Sequence, residues 1–193
     1  MGRRLKVYLG GPEVFLSDAA AVAAGKIERA AAFGFAALCP LGNPPADARD
    51  DRIDVRIFRA NVALLREADF GIFNLTPFRG ISADVGTVFE LGMLTGLGRR
   101  VFAYTNDPAD LVSRARDCVA GTAFDAATGT WCDADGMQIE DYGNADNLML
   151  DCALCEQDTP IVRHPAAAQE RFRDLTGFET CLRLAAEIFR DEA

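Results

Sequence analysis

The chain is most tightly constrained by residues 69–92, which read D-F-G-I-F-N-L-T-P-F-R-G-I-S-A-D-V-G-T-V-F-E-L-G. Phe70 to Leu75 is a short apolar run bounded by turn formers, the pattern of a parallel strand buried on both faces. Pro77 and Gly80 then punctuate a loop. Asp84 follows as a helix N-cap, and Val88, Leu91 and Leu94 stand at helical spacing behind it. Strand, loop and helix in that order place Asp84 and Glu90 at the start of the helix, beside the carboxyl end of the strand. Acids there are favoured by exposed N–H groups and the helix dipole. Open α/β sheets hold their ligands at the carboxyl ends of their strands. Glu90 is therefore the first candidate for chemistry.

The rest of the chain repeats this rhythm. Lys6 to Leu9 is a strand opening into Gly10-Gly11-Pro12, where two glycines allow close backbone approach to a ligand. It is not a dinucleotide fingerprint, because G-G-P-E-V-F lacks the later glycine and Pro12 removes a donor. Ser17 is expected to cap an alanine-rich helix over 18–33, with Gly34 as its stop, and Phe35 to Cys39 is a second strand. Residues 41–51, with Pro44-Pro45, read as a polar loop. Ile53, Ile57, Val62, Leu64 and Leu65 mark an amphipathic helix over 51–68 that carries Asn61, by default an exposed residue but also one able to face the cleft. Val101 to Tyr104 is a fourth strand. This order predicts one domain over 1–193, built on an open parallel sheet of four to five strands with helices on both faces, flavodoxin- or Rossmann-like. Beyond Asn106 the periodicity fades. Residues 113–146 read as a long loop, lid or insertion, Asn147 to Glu156 as a helix, and 166–190 as a final helix with a potential break at Gly177.

Composition narrows the partners. A net charge of -9 argues against a nucleic-acid polymer or an anionic membrane. No apolar run reaches spanning length, and the first strand is too short for a signal-peptide core, so a cytoplasmic protein is expected. The six cysteines are scattered without a disulfide pattern. Cys152-Ala-Leu-Cys155 has the spacing of a redox or zinc motif, but no second pair completes it, and its helical, apolar setting reads as core packing. His164, the only histidine, reads as a surface residue; a multi-His metal site is excluded, and Ser-His-Asp or Cys-His schemes would depend on it alone.

The motifs Tyr8-Leu9-Gly10-Gly11-Pro12, Ala68-Asp69, N-L-T-P-F-R-G from Asn74, A-D-V-G-T-V-F-E-L-G from Ala83, and Asn147-Leu148-Met149 resemble, in order, those of the nucleoside 2-deoxyribosyltransferase family. The segment D-V-G-T-x-F-E-L-G is the most specific. Gly10 stands where the family usually has alanine. The resemblance implies a retaining double displacement that needs no metal or organic cofactor. Glu90 matches the nucleophile that attacks C1′ of a 2′-deoxynucleoside, expels the base and forms a deoxyribosyl-enzyme ester, which a second free nucleobase then opens.

From the residues alone, Glu90 reads first as a solvated helix glutamate and Tyr8 as a core aromatic, Asp84 reads as readily as a plain N-cap, and Asn147 fits another cap. The resemblance makes Tyr8 the orienter of the nucleophile and Asp84 the acid beside the leaving base. It places Asn61 where some members carry a base-contacting aspartate. Asn147 and Met149 match a segment that reaches a neighbouring subunit's sugar site, which implies a homo-oligomer. Gly10, Gly11, Pro12, Phe15, Phe78, Arg79 and Gly86 lie in or beside the matching motifs and complete the substrate-binding candidates. The rivals are an N-glycoside hydrolase on the same scaffold and a non-catalytic nucleotide sensor. A nucleotide substrate would need a phosphate pocket, for which Ser17 and Arg79 are candidates without a cluster around them.

Overall fold

In the computed structural model the described residues are 3–42 and 52–191, so most of the loop read over 41–51 lies outside them. Four strands follow the rhythm read from the sequence: β1 (Lys6–Gly10), β2 (Ala36–Leu38), β3 (Phe70–Asn74) and β4 (Arg100–Thr105). They alternate with α1 (Ala19–Ala32), α2 (Ile53–Glu67) and α3 (Val85–Gly96). Three further helices follow: α4 (Leu111–Cys118), α5 (Leu148–Cys155) and α6 (Thr176–Asp191). The short strands β5 (Ala123–Asp125), β6 (Thr130–Cys132), β7 (Gln138–Ile139) and β8 (Val162–Arg163) complete the strands among the described residues. The main sheet is five-stranded and parallel throughout, in the order β2-β1-β3-β4-β8.

Strand alternation divides the core into two layers. Val7, Leu9, Phe70, Ile72, Phe102 and Tyr104 face α1 and α6, packing on Ala30, Phe178, Cys181 and Leu182. Tyr8, Phe73, Val101 and Ala103 face the other way, onto Leu65 of α2, Leu91 and Leu94 of α3, and Leu150 and Leu154 of α5. Helices therefore cover both faces. The chain leaves β1 for β2 on one side and returns to β3 on the other, so the strand order reverses between β1 and β3. Gly10 lies in register with Phe73 there, and the crevice outside these two strand ends is where such a sheet holds ligands.

Several local expectations change. Asp18, not Ser17, occupies the N-cap position of α1, and its carboxylate is held by Arg173 Nε and Nη2 at 2.8 and 2.9 Å. Residues 113–146 are no bare loop. They contain most of α4, capped by Asp110, and an antiparallel sheet in the order β5-β6-β7, against which Arg116 stacks 4.5 Å from the Trp131 ring centre. Cys152 and Cys155 are exposed rather than packed in the core. His164 is half-buried and paired with Asp174 at 3.1 Å. Among the described residues, no helix is long and apolar enough to cross a membrane.

The final helix starts at Thr176, and Gly177 sits within its first turn instead of breaking it. A Cβ at Gly177 would lie 2.8 Å from Cδ2 of Tyr104, a buried ring with no room to retreat. Gly177→Val is expected to destabilise the fold by roughly 1–3 kcal/mol through overpacking. A thermal melt checks this, and an unchanged midpoint would show that α6 slides freely on β4.

Candidate active site

Two strand ends and one helix start build the site. After β1 the chain passes through Gly11 and turns at Pro12–Phe15, a single 3-10 turn. After β3 the loop 75–83 leads to Asp84, the N-cap of α3. Asp84 Oδ2 accepts from the Thr87 backbone N at 2.9 Å and from Thr87 Oγ1 at 3.0 Å, so the carboxylate is held in one orientation. Glu90 lies less than two helical turns further on. Its Oε1 is 3.5 Å from Asn61 Nδ2 of α2. A Cβ placed on Gly10 would meet Glu90 Oε2 at 3.2 Å and Phe73 Cδ1 at 2.5 Å. Glycine thus lets the β1 backbone run against the carboxylate, and the family's alanine would require Phe73 to move.

Burial pushes the Glu90 carboxyl up to about 7, with the nearby Asp84 charge adding to the effect. The Tyr8 hydroxyl and the Asn61 amide act in the opposite direction, because each stabilises the carboxylate form. Tyr8 is fully buried beneath the site. Its hydroxyl has no hydrogen-bond partner of regular geometry and interacts with Glu90, and burial followed by that negative charge raises its own pKa far above the usual phenol range.

A cavity of about 480 Å³ opens over these groups. Asn61, Asp84, Thr87 and Glu90 supply its polar end, and Val14, Phe15, Pro40, Leu41, Ile53 and Ile57 its apolar walls. Gly11 and Gly86 also line it. Phe15 stacks on Phe78 at 5.3 Å between ring centres and 14° between planes. Arg79 lies over both rings, at 5.3 and 4.6 Å, in a left-handed conformation with φ 54°.

Of the residues singled out from the sequence, Gly11, Phe15, Asn61, Asp84, Gly86 and Glu90 line the cavity. Tyr8 and Gly10 lie against Glu90, Pro12 is buried at the start of the 3-10 turn, and Phe78 and Arg79 join the rim through Phe15. Asn147 and Met149 are not among the lining residues. Asn147 caps α5 by accepting from Met149 N at 3.0 Å and donates to Glu140 Oε1 at 2.6 Å, while Met149 is 71% exposed. Val14, Thr87 and the wall formed by Ile53 and Ile57 escaped the sequence reading. The two isoleucines mark the apolar face of an amphipathic helix in the sequence, and in the structure they are exposed to the cavity at successive turns of α2. Among the described residues, no group of His, Cys, Asp and Glu could hold a metal ion.

The fold and the cleft define a flavodoxin-like α/β protein with a pair of carboxylates at its switch point. Residues 7–149 match the family model for nucleoside 2-deoxyribosyltransferase, and the chain belongs to that family, a group of transferases that act on nucleosides and nucleobases. Among solved structures it is similar to a 2-desoxiribosyltransferase from Leishmania mexicana, at 24% identity and TM-score 0.65, covering 95% of this chain and 97% of that one. It also resembles a conserved protein from Enterococcus faecalis V583, at 15% identity and TM-score 0.54, covering 95% and 99%. These likenesses support the fold. No curated protein matches the chain.

Proposed function

We propose that this transferase exchanges the nucleobase of 2′-deoxynucleosides by a retaining double displacement through Glu90. The observation that carries the reading is the Glu90 carboxylate itself, set between Tyr8, Asn61 and Asp84 at the polar end of an otherwise apolar cavity. A Glu90 oxygen bonds to C1′ as the C1′–N bond breaks, and the bond electrons leave with the base. In this reading Asp84, whose carboxylate Thr87 fixes, hydrogen-bonds or protonates that base. Tyr8 and Asn61 oppose the effect of burial and favour the ionised form of the nucleophile. The second base attacks C1′ of the ester from the vacated side and restores the carboxylate, so configuration is retained. Ring stacking at Phe15 suits a flat heterocycle.

The cavity lining favours a nucleoside over a nucleotide. Its polar end carries two carboxylates, where a phosphate would meet like charge, although Arg79 stands at the rim over Phe15 and Phe78. In this reading Asn147 and Met149, the latter 71% exposed, serve the site of a second copy, as the resemblance implies, and a homo-oligomer is the assembly it expects. A soluble cytoplasmic enzyme is the expected setting.

Base exchange followed by chromatography tests the reading. Purified protein is given deoxyinosine with adenine, and thymidine with adenine, each beside a control without acceptor. Deoxyadenosine formed only with acceptor is the expected result. Hypoxanthine released equally fast without acceptor would make the protein a hydrolase, and no turnover of either donor would overturn the proposed reaction.

A further inference from the structure

One buried carboxylate outside the cavity touches the loop that sets Asp84. Asp146, 1% exposed, immediately precedes the N-cap of α5. Its Oδ1 accepts from Ser82 Oγ and from Asn147 N, the latter at 2.8 Å. Its Oδ2 accepts from Ala83 N at 2.8 Å. Ser82 and Ala83 are the two residues before Asp84. The anchor is itself held, because Asp151 accepts from the backbone N–H groups of Ala145 and Asp146 at 3.1 and 3.0 Å. Arg114 adds to the clamp, donating to the carbonyls of Ile81 at 2.7 Å and of Ala145 on its two sides. The loop is thus held at residues 81, 82 and 83 by groups distant in sequence, and its own closure is a bond from Phe78 N to Ser82 O at 2.9 Å.

We infer that Asp146 is a positioning residue for the base-side acid: it locks the loop before α3 so that Asp84 meets the nucleobase in one place, and it ties that loop to the segment carrying Asn147 and Met149. That Asp84 meets a nucleobase rests on the transferase reading; that Asp146 locks the loop and ties it to the segment after it does not. The chemistry requires a carboxylate and not merely a polar residue. Both oxygens accept from backbone N–H groups, Asn147 on one and Ala83 on the other. An asparagine can turn its carbonyl toward only one of them, and its amide then opposes the other donor. One buried N–H loses its acceptor whichever way the side chain flips. Ser82 by contrast is adaptable, because a hydroxyl both donates and accepts.

Asp146→Asn, with Ser82→Ala as the milder control, tests this with two readouts. Amide hydrogen exchange reads the positioning whatever the reaction is. Residues 81–87 are expected to exchange roughly tenfold or more faster in Asp146→Asn, while β3 and β4 keep their protection. Unchanged protection at 81–87 overturns the inference. Loss of protection across β3 and β4 as well also overturns it, since Asp146 would then merely hold the fold.

The second readout is a double-mutant cycle in base exchange. Asp146→Asn is expected to lower kcat/KM by roughly tenfold in the wild type and by less than about twofold in Asp84→Asn, where the group being positioned is already lost. Equal losses in both backgrounds overturn the link to Asp84. A wild-type protein without exchange activity overturns the proposed reaction, and the exchange protection then decides Asp146 by itself.

Discussion

Glu90→Gln is expected to give a folded protein that no longer exchanges bases, with kcat/KM down by roughly a thousandfold or more. The amide keeps the shape of the side chain but forms no ester with C1′. A burst of free base on mixing enzyme with donor would be absent, and a burst of normal size would remove Glu90 from the mechanism. The same substitution is expected to relieve a cost of folding. The folded protein holds the Glu90 proton up to about pH 7, against an ordinary carboxyl value of 4.5. Stability from that proton is complete below about pH 4.5, declines as pH rises, and is gone above about pH 7. At 1.36 kcal/mol per unit the wild type loses about 3 kcal/mol at most across this window, and the neutral glutamine loses none of it. Melts at about pH 5 and pH 8 should therefore diverge, with Glu90→Gln the more stable of the two proteins at the higher pH by several degrees. An equal difference at both values would mean that Glu90 ionises normally. Wild-type kcat/KM should rise with pH through about 7, since only the carboxylate attacks, and a flat profile over that range would contradict the assignment.

The sheet and the pair of carboxylates in the cleft were legible in the sequence. Strands buried on both faces are unbroken apolar runs, so β1, β3 and β4 stand out, and the start of α3 carries Asp84 at its N-cap and Glu90 within the helix in a recognisable pattern. What stayed hidden lacked a period. Strand β8 is two residues long and pairs only Val162 and Arg163 with the end of β4. Helix α4 buries Arg114 beside Val112 and Ala115, which spoils its apolar stripe. The site's apolar wall failed differently, because Ile53 and Ile57 have the spacing of a core face, and spacing does not tell a core from a cavity. Asp146 was invisible because its partners are Ser82 and Ala83, more than sixty residues away, and two of the groups it binds are backbone N–H groups that any residue carries. Lys26 did leave a signal. It occupies the buried stripe of α1 with Ala19, Val22 and Ala30, a charge where the period calls for an apolar residue.

Lys26→Met is expected to be the most destabilising single change, by about 3–5 kcal/mol, because it strands a buried carboxylate. Lys26 is 2% exposed and Glu13 6%, and the two form an ion pair. Burial drags the Lys26 ammonium down to about 7, and the Glu13 carboxylate beside it is the partner for its charged form. The Tyr104 and Phe178 rings flank it at 5.5 and 5.3 Å. On the far side Asn74 Nδ2 donates to Glu13 at 3.0 Å, Asn74 accepts from Thr76, and Thr76 Oγ1 accepts from Asn106 N at 2.9 Å. This chain links the carboxyl ends of β3 and β4 to the turn after β1. Methionine fills the volume but leaves Glu13 with one donor in an apolar setting. Lys26→Met with Glu13→Gln should recover most of the loss, since the glutamine oxygen still accepts from Asn74 and no charge remains buried. Urea melts of the wild type, the two single variants and the double variant measure this. A double variant as unstable as Lys26→Met would mean that the lysine stem, not its charge, is what α1 needs. The outcome reaches the active site, because a Cβ on Gly11 would lie 2.2 Å from Glu13 Oε2, so the pair supports the cavity floor from below. A double variant that is stable yet slow in base exchange would show that this floor, and not only its folding, depends on the buried charge pair.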